Sequence, residues 1–178
     1  MINDVIQFWF KEHGPEQWFQ KDDGFDQLIR DQFLEVHRSA TQGELFIWRR
    51  TALGRLAEVI VLDQFSRNLH RDSALAFAYD GMALTLAQEA VSAGMDQQLE
   101  PKQRSFLYMP YMHSESLLIH EQAERLFKAL RLKSSIEFER KHLDILERFG
   151  RYPHRNAILG RESTPAELEF LSQPGSSF

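Results

Sequence analysis

A chain of 178 residues with 43% hydrophobic and 26% charged residues is long enough to bury one good core and has the balance of a globular protein. Its net charge of −5 and sequence pI near 5.8 argue against general nucleic-acid binding. The absence of cysteine excludes disulfides, thiolate metal sites and cysteine nucleophiles, and it fits a reducing compartment. The 14 phenylalanines argue against disorder.

The opening, Met1 to Phe10, has neither a basic leader region nor a sustained apolar run, so no signal peptide is read there. No window approaches the ~18 consecutive apolar residues of a membrane helix. A cytoplasmic location without membrane contact is the expectation.

The pattern is helical nearly throughout. Asp4 is placed to cap a short first helix carrying Ile6, Phe8, Trp9 and Phe10, which His13-Gly14-Pro15 breaks. A second helix is predicted over 23–40, with Phe25, Leu28, Ile29, Phe33 and Val36 at helical spacing. Trp48 falls in a short connector. A third helix over 51–68 is apolar on most of its circumference, from Leu53 to Phe65, the mark of a buried central helix. A fourth, Ala-rich helix is predicted over 73–93 and closes at Gly94.

Pro101 suits the first position of a short fifth helix, and Pro110 is read as opening the next, over 111–130. Ser134 with Glu137 forms a capping-box pattern for a helix ending near Phe149, with Gly150 after it. Thr164, Pro165 and Glu167 combine a cap, an opening proline and a capping-box glutamate for a last short helix. Residues 173–178 are expected to fray. The fold class is therefore all-α: a single domain over 1–178, with seven or eight helices in an antiparallel helical-hairpin stack.

Three polar residues break apolar stripes. Asp63 shares a face with Leu56, Ile60 and Arg67, and Asp63–Arg67 is an i,i+4 pair in the favourable order. Glu115 precedes Ile119, Ala123 and Leu126 on one face, and His142 lies between Phe138 and Ile145. A buried charge must be paired or neutralised. The acid-free stretch from Phe149 to Arg161 supplies Arg151, His154, Arg155 and Arg161 in a turn-rich setting.

These cations have two main readings. They latch the C-terminal segment onto buried Asp63 and Glu115, or they line a pocket that takes a carboxylate or phosphate. A metal or hydrolytic centre is a third. His113-Ser114-Glu115 does not make a relay by itself, because adjacent residues on a helix diverge. His113 and His120, two turns apart at about 10 Å, are too distant to share a metal. No glycine-rich phosphate loop, H-E-x-x-H or G-x-S-x-G motif occurs. No cofactor and no metal site is read from the sequence. Trp9, Trp18 and Trp48 read as core.

"LDQFSRNLHR" (62–71), "FLYMPYMHSE" (106–115), "FGRYPHRNAILGREST" (149–164) and the opening "VIQFWF" resemble the bacterial domain-of-unknown-function family number 924, over essentially the whole chain and in family order. The resemblance implies a tetratricopeptide-repeat-like, right-handed array of helices and no established activity. It carries over Asp63, Gln64, Arg67, Asn68 and Arg71, then His113, Ser114 and Glu115, then Arg151, His154, Arg155, Asn156 and Arg161.

Three functions from different classes stay open. One is a binding module holding a small anion or the acidic end of a peptide in the Arg/His cluster. Another is a scaffold for a protein partner, with the arginines fully paired inside the fold. The third is an enzyme using His142 or His113 with Asp63 or Glu115 in acid–base chemistry, which requires an imidazole on a carboxylate at an open cleft.

Overall fold

The apolar run from Leu56 to Leu62 leaves no face for solvent, and the rest of the chain wraps it. In the computed structural model, which describes residues 1–176, this run starts in helix α4 (Ala52–Ile60) and continues into the turn that follows it. Leu56, Ala57, Val59, Ile60, Val61, Leu62 and Phe65 have no exposed surface. The third predicted helix is thus the buried centre. The backbone widens into a π turn over Val61–Phe65 and returns to helix in α5 (Ser66–Leu69). Ser66 Oγ donates to Leu62 O and an Arg67 amino group to Asp63 O, each at 2.6 Å, so side chains serve carbonyls of the widened turn.

Around this axis stand α1 (Ile2–Gln7), α2 (Pro15–Trp18), α3 (Asp23–Thr41), α6 (Asp80–Ser92), α7 (Pro101–Met112), α8 (Leu117–Leu130), α9 (Lys133–Phe149) and α10 (Pro165–Leu171). α4 packs on α1, α6 and α7, and α6, α7, α8 and α9 pack each on the next. Among the described residues there is no strand, so the all-α expectation holds. Taking α4 and α5 as one helix, nine stand among the described residues where seven or eight were expected. The extra one is α2, which Pro15 opens after the break at Gly14.

Four boundaries differ from the sequence reading. The first helix begins at Ile2, with Asp4 inside its first turn rather than capping it. The fourth begins at Asp80, not Ser73. Ser73 Oγ accepts from Leu75 N, and a 3₁₀ turn over Ala74–Ala76 takes the place of the first helical turns. Pro110 does not open a helix but sits in the last turn of α7, which stops at Met112. A proline so near the end deprives the helix of only one late hydrogen bond. Helix α9 starts at Lys133 without the capping bonds expected of Ser134 and Glu137.

Other signals hold. Gly94 and Gly150 close their helices at φ +67° and +70°, where a left-handed residue is needed. Thr164 and Glu167 form the capping box: Thr164 Oγ1 accepts from Glu167 N at 3.3 Å, and Glu167 Oε2 accepts from Thr164 N at 2.7 Å. Trp9 is fully buried and stacks on Trp18 with ring centres 5.7 Å apart. Of the tail expected to fray, Ser176 is buried and its hydroxyl donates to Leu171 O at 3.2 Å, while residues 177–178 lie outside the described residues.

One glycine is fixed by packing. A Cβ on Gly54 would lie 2.0 Å from Trp48 O, so only glycine lets the 3₁₀ turn Phe46–Arg50 close over the start of α4. That closure brings Arg49 onto Glu58, which is fully buried and held by two hydrogen bonds of 2.8 and 2.7 Å. Among the described residues no helix is long and apolar enough to cross a membrane.

Candidate functional site

Five elements bring ionisable residues to one place. The π turn sets Asp63, α5 sets Arg67, Asp80 is the first residue of α6, and His113 ends α7. The 3₁₀ turn Pro153–Arg155 brings in Arg155. The early stop of α7 matters here. Residues 113–116 form the turn to α8 rather than its first helical residues, so His113, Ser114 and Glu115 reach the same cavity. The cavity measures about 340 Å³, and its walls also include Phe77, Asp80, Leu84, Pro110, Arg155 and Leu159. Ligand pockets begin near this size.

Asp63 is 1% exposed. It accepts from His113 Nδ1 at 2.7 Å and from Gln64 Nε2, and it lies 3.1 Å from Arg67 Nη1. Burial opposes its charge, but Arg67 and His113 outweigh that and hold its carboxyl far below the usual range. It is therefore ionised and accepts the Nδ1 proton of His113. In a neutral ring the lone pair is then on Nε2. Burial, together with Arg67, pushes the His113 pKa below its ordinary value despite Asp63, so the ring is neutral at pH 7. Among the described residues, Nε2 has no hydrogen-bond partner.

Arg67 spans two acids. Besides Asp63 it binds Asp80 through both amino groups, at 3.0 Å each. Asp80 thus commits both oxygens to Arg67. Among the described residues Arg155 is left with one approach, Nη1 to Asp80 Oδ2 at 3.5 Å, and its buried Nε has no hydrogen-bond partner. It is only 7% exposed and lies over the rings of Phe77 and Tyr152 at 4.6 and 4.7 Å. Burial, then the neighbouring Arg67, lowers its pKa. A guanidinium stays charged in such a place.

The remaining expected site residues divide into three groups. His142 and His154 are not among the residues that line the cavity. His142 Nδ1 donates to Phe138 O at 2.8 Å, and its ring is 6.1 Å from that of His113. Burial, then His113, lowers its pKa to about 3. His154 is lowered to about 4 by burial, then by Arg155.

A second group ties down the C-terminal segment. Arg161 grips Glu115 with bonds of 2.7 and 2.9 Å, and its Nε donates to Asn156 at 2.9 Å. Arg151 grips Glu167 at 2.7 and 2.8 Å. Glu115 also accepts from Tyr152 N at 2.7 Å. Asn68 and Arg71 form the third group, on the other side of α5. Both bind Asp26 of α3, Arg71 through bonds of 2.6 and 2.7 Å.

Asp63 takes its cation from Arg67 and not from the C-terminal loop. Sequence reasoning missed Asp80, the acid on which Arg67 and Arg155 converge. It was hidden because an unbroken helix over 73–93 put it in mid-helix. It also missed Glu167, read only as a cap. Among the described residues no group of three His, Asp or Glu side chains is arranged to hold a metal ion.

The model of the family described as "Bacterial protein of unknown function (DUF924)" matches residues 5–175. This chain belongs to the DUF924 family. A solved structure of a protein of unknown function from Agrobacterium tumefaciens is 40% identical, with 96% of each chain covered and a TM-score of 0.91. No curated protein matches. The motif residues of this chain thus lie in several kinds of place: His113, Ser114, Glu115 and Arg155 line the cavity, Asp63 and Arg67 stand behind its wall in contact with His113 and Asp80, Arg151, Asn156 and Arg161 pin the C-terminal segment, and Asn68 and Arg71 bind Asp26 of α3.

Proposed function

We propose that this chain binds a small organic anion, a carboxylate in particular, in the cavity bounded by Arg155 and His113. One observation carries the reading: Arg155 is a buried guanidinium with an unpartnered Nε and a single long approach to an acid already satisfied by Arg67. A desolvated cation costs stability unless something pairs with it. An anion entering the cavity supplies that pair.

Charge favours a singly charged ligand. Asp63, Asp80 and Glu115 face Arg67, Arg155 and Arg161, three carboxylates against three guanidinium groups. With His113 neutral the set balances, and a dianion would meet two carboxylates on the cavity wall. The apolar walls at Phe77, Leu84, Pro110 and Leu159 suit a hydrocarbon body. The protein-scaffold reading needs every arginine of the cluster paired within the fold, and Arg155 counts against it.

The test is a thermal-shift screen at low salt of monocarboxylates, dicarboxylates and phosphate against wild type and Arg155→Met. A specific ligand at a hundredfold excess over its Kd stabilises the native state by about 2.7 kcal/mol. Stabilisation by monocarboxylates that disappears in Arg155→Met supports the proposal. Absence of any stabilisation by these anions overturns it.

A further inference from the structure

The same cavity holds a second feature that simple anion binding does not need. His113 is oriented from behind by an ionised, sealed carboxylate, with Nδ1 to Asp63 Oδ1 at 2.7 Å, and it lines the cavity that Arg155 lines. Its other nitrogen has no partner among the described residues. A carboxylate on one nitrogen of a neutral imidazole that lines a cavity, with the lone pair on the other nitrogen, is the arrangement of a general base. Ser114 adds to it: its hydroxyl makes no hydrogen bond among the described residues and lines the same wall. A structural histidine that merely satisfied Asp63 would not need an open face or a cavity beside it.

We infer that the cavity is a hydrolytic site in which His113, positioned by Asp63, activates water against a small carboxylic ester that carries a separate anionic group held by Arg155. This rests on the anion-binding reading and assigns a reaction to the same site. In the first step a water molecule gives one proton to His113 Nε2 while its oxygen bonds to the acyl carbon. The carbonyl π pair moves onto oxygen, where the Ser114 hydroxyl donates to it. In the second step that pair re-forms the carbonyl, the bond from the acyl carbon to the alkoxy oxygen breaks, and the proton on Nε2 passes to the leaving oxygen. Ester and water become acid and alcohol, and His113 returns to its neutral form.

An ester suits the site better than a phosphoryl group. A phosphate monoester brings close to two negative charges, and a phosphodiester puts its charge on the reacting group itself, next to Asp80 and Glu115. An ester anchored by one distant carboxylate brings a single charge, and its reacting carbon is neutral. His113 and Arg155 reach the cavity from different elements, the end of α7 and the turn Pro153–Arg155, as a substrate with separated anchor and reacting groups requires.

The test uses 4-nitrophenyl hydrogen succinate, an ester with one free carboxylate, beside neutral 4-nitrophenyl butyrate, with purified wild type and three variants. Wild type should release 4-nitrophenolate from the anionic ester faster than buffer and faster than from the neutral ester. His113→Gln keeps a donor for Asp63 but has no base, and should lose a factor of about 10²–10⁴ in kcat. Asp63→Asn should lower kcat with little change in KM, the split expected of a positioning residue. Arg155→Met should raise KM for the anionic ester alone.

Butyrate stabilisation of each protein is measured in parallel. If butyrate stabilises wild type and the anionic ester is not hydrolysed above background, or is hydrolysed equally by folded His113→Gln, the catalytic inference is wrong and the binding reading stands. If butyrate does not stabilise wild type, the binding reading itself is wrong.

Discussion

Two arginines of one C-terminal segment should behave in opposite ways when replaced by methionine, which keeps most of the aliphatic stem. Arg161 makes two bonds to Glu115, one to Asn156 and one to Tyr152 O. Hydrogen bonds to charged groups contribute about 1.5–3 kcal/mol each, and breaking a fully buried pair costs about 3–5 kcal/mol. Arg161 and Glu115 are each about a quarter exposed, at 25% and 26%, so screening reduces this. Arg161→Met should cost about 2–3 kcal/mol, or roughly 4–12 °C in Tm for a chain of this length.

Arg155→Met removes two ring contacts of one desolvated guanidinium, which together contribute about 2 kcal/mol or more. It also removes a desolvated charge and an unpartnered Nε, which together cost about 1–3 kcal/mol in the native protein. Asp80 keeps both bonds to Arg67. The net change should stay within about 1 kcal/mol of zero and could be stabilising, as at other functional positions held against stability. Urea unfolding of wild type and both variants, followed by far-UV circular dichroism, measures the difference. If Arg155→Met costs as much as Arg161→Met, Arg155 is a structural cation and the case for a ligand at that position fails.

Three further outcomes follow from the geometry. Burial lowers the pKa of His37, 2% exposed and bonded to Ser66 Oγ at 2.8 Å, to about 4, and the same cause takes His142 to about 3 and His154 to about 4. In the unfolded chain such groups titrate near 6.5, so below that pH the unfolded state binds more protons. Stability should therefore be full above pH 6.5 and fall as pH drops toward about 4, by about 1 kcal/mol per histidine per pH unit once below about pH 6. A flat urea midpoint from pH 7 to 5 would contradict this.

Gly54→Ala should cost about 2–3 kcal/mol, because the new Cβ meets Trp48 O, a backbone atom that cannot rotate away. A thermal midpoint within 1–2 °C of wild type would show that the turn relaxes freely. Glu58→Gln should cost about 2–4 kcal/mol, since it leaves Arg49 without its bidentate partner beneath the same turn. Double-mutant analysis with Arg49→Met tests that, as the cost should shrink sharply when Arg49 is already gone.

The helices were legible because their signals are local. The all-round apolar run of α4, the left-handed glycines after α6 and α9 and the capping box of α10 each act within a few residues. The failures came where one local option displaced another. Ser73 caps a 3₁₀ turn instead of starting α6, and Pro110 is absorbed in the last turn of α7. Both errors touched the site. The first concealed Asp80, and the second made 113–115 look helical, which ruled out cooperation among His113, Ser114 and Glu115.

Stripe-breaking picked out Asp63 and His142 because burial of polar groups leaves a mark in periodicity. The i,i+4 spacing offered Arg67 to Asp63, but it could not show that His113 would join them while Asn68 and Arg71 turned to Asp26. Those pairings depend on which faces α3, α6 and α7 present, and no spacing in the sequence encodes that. The π turn at Val61–Phe65, which shifts the helical register at Asp63, was equally invisible to a 3.6-residue period.

The most direct measurement is an isothermal titration of butyrate into wild type and Arg155→Met at low salt and pH 7.5. The account predicts saturable binding of one butyrate per wild-type chain and none to a variant that unfolds at nearly the same urea concentration. Equal binding by both proteins, or none by wild type at millimolar butyrate, would contradict it.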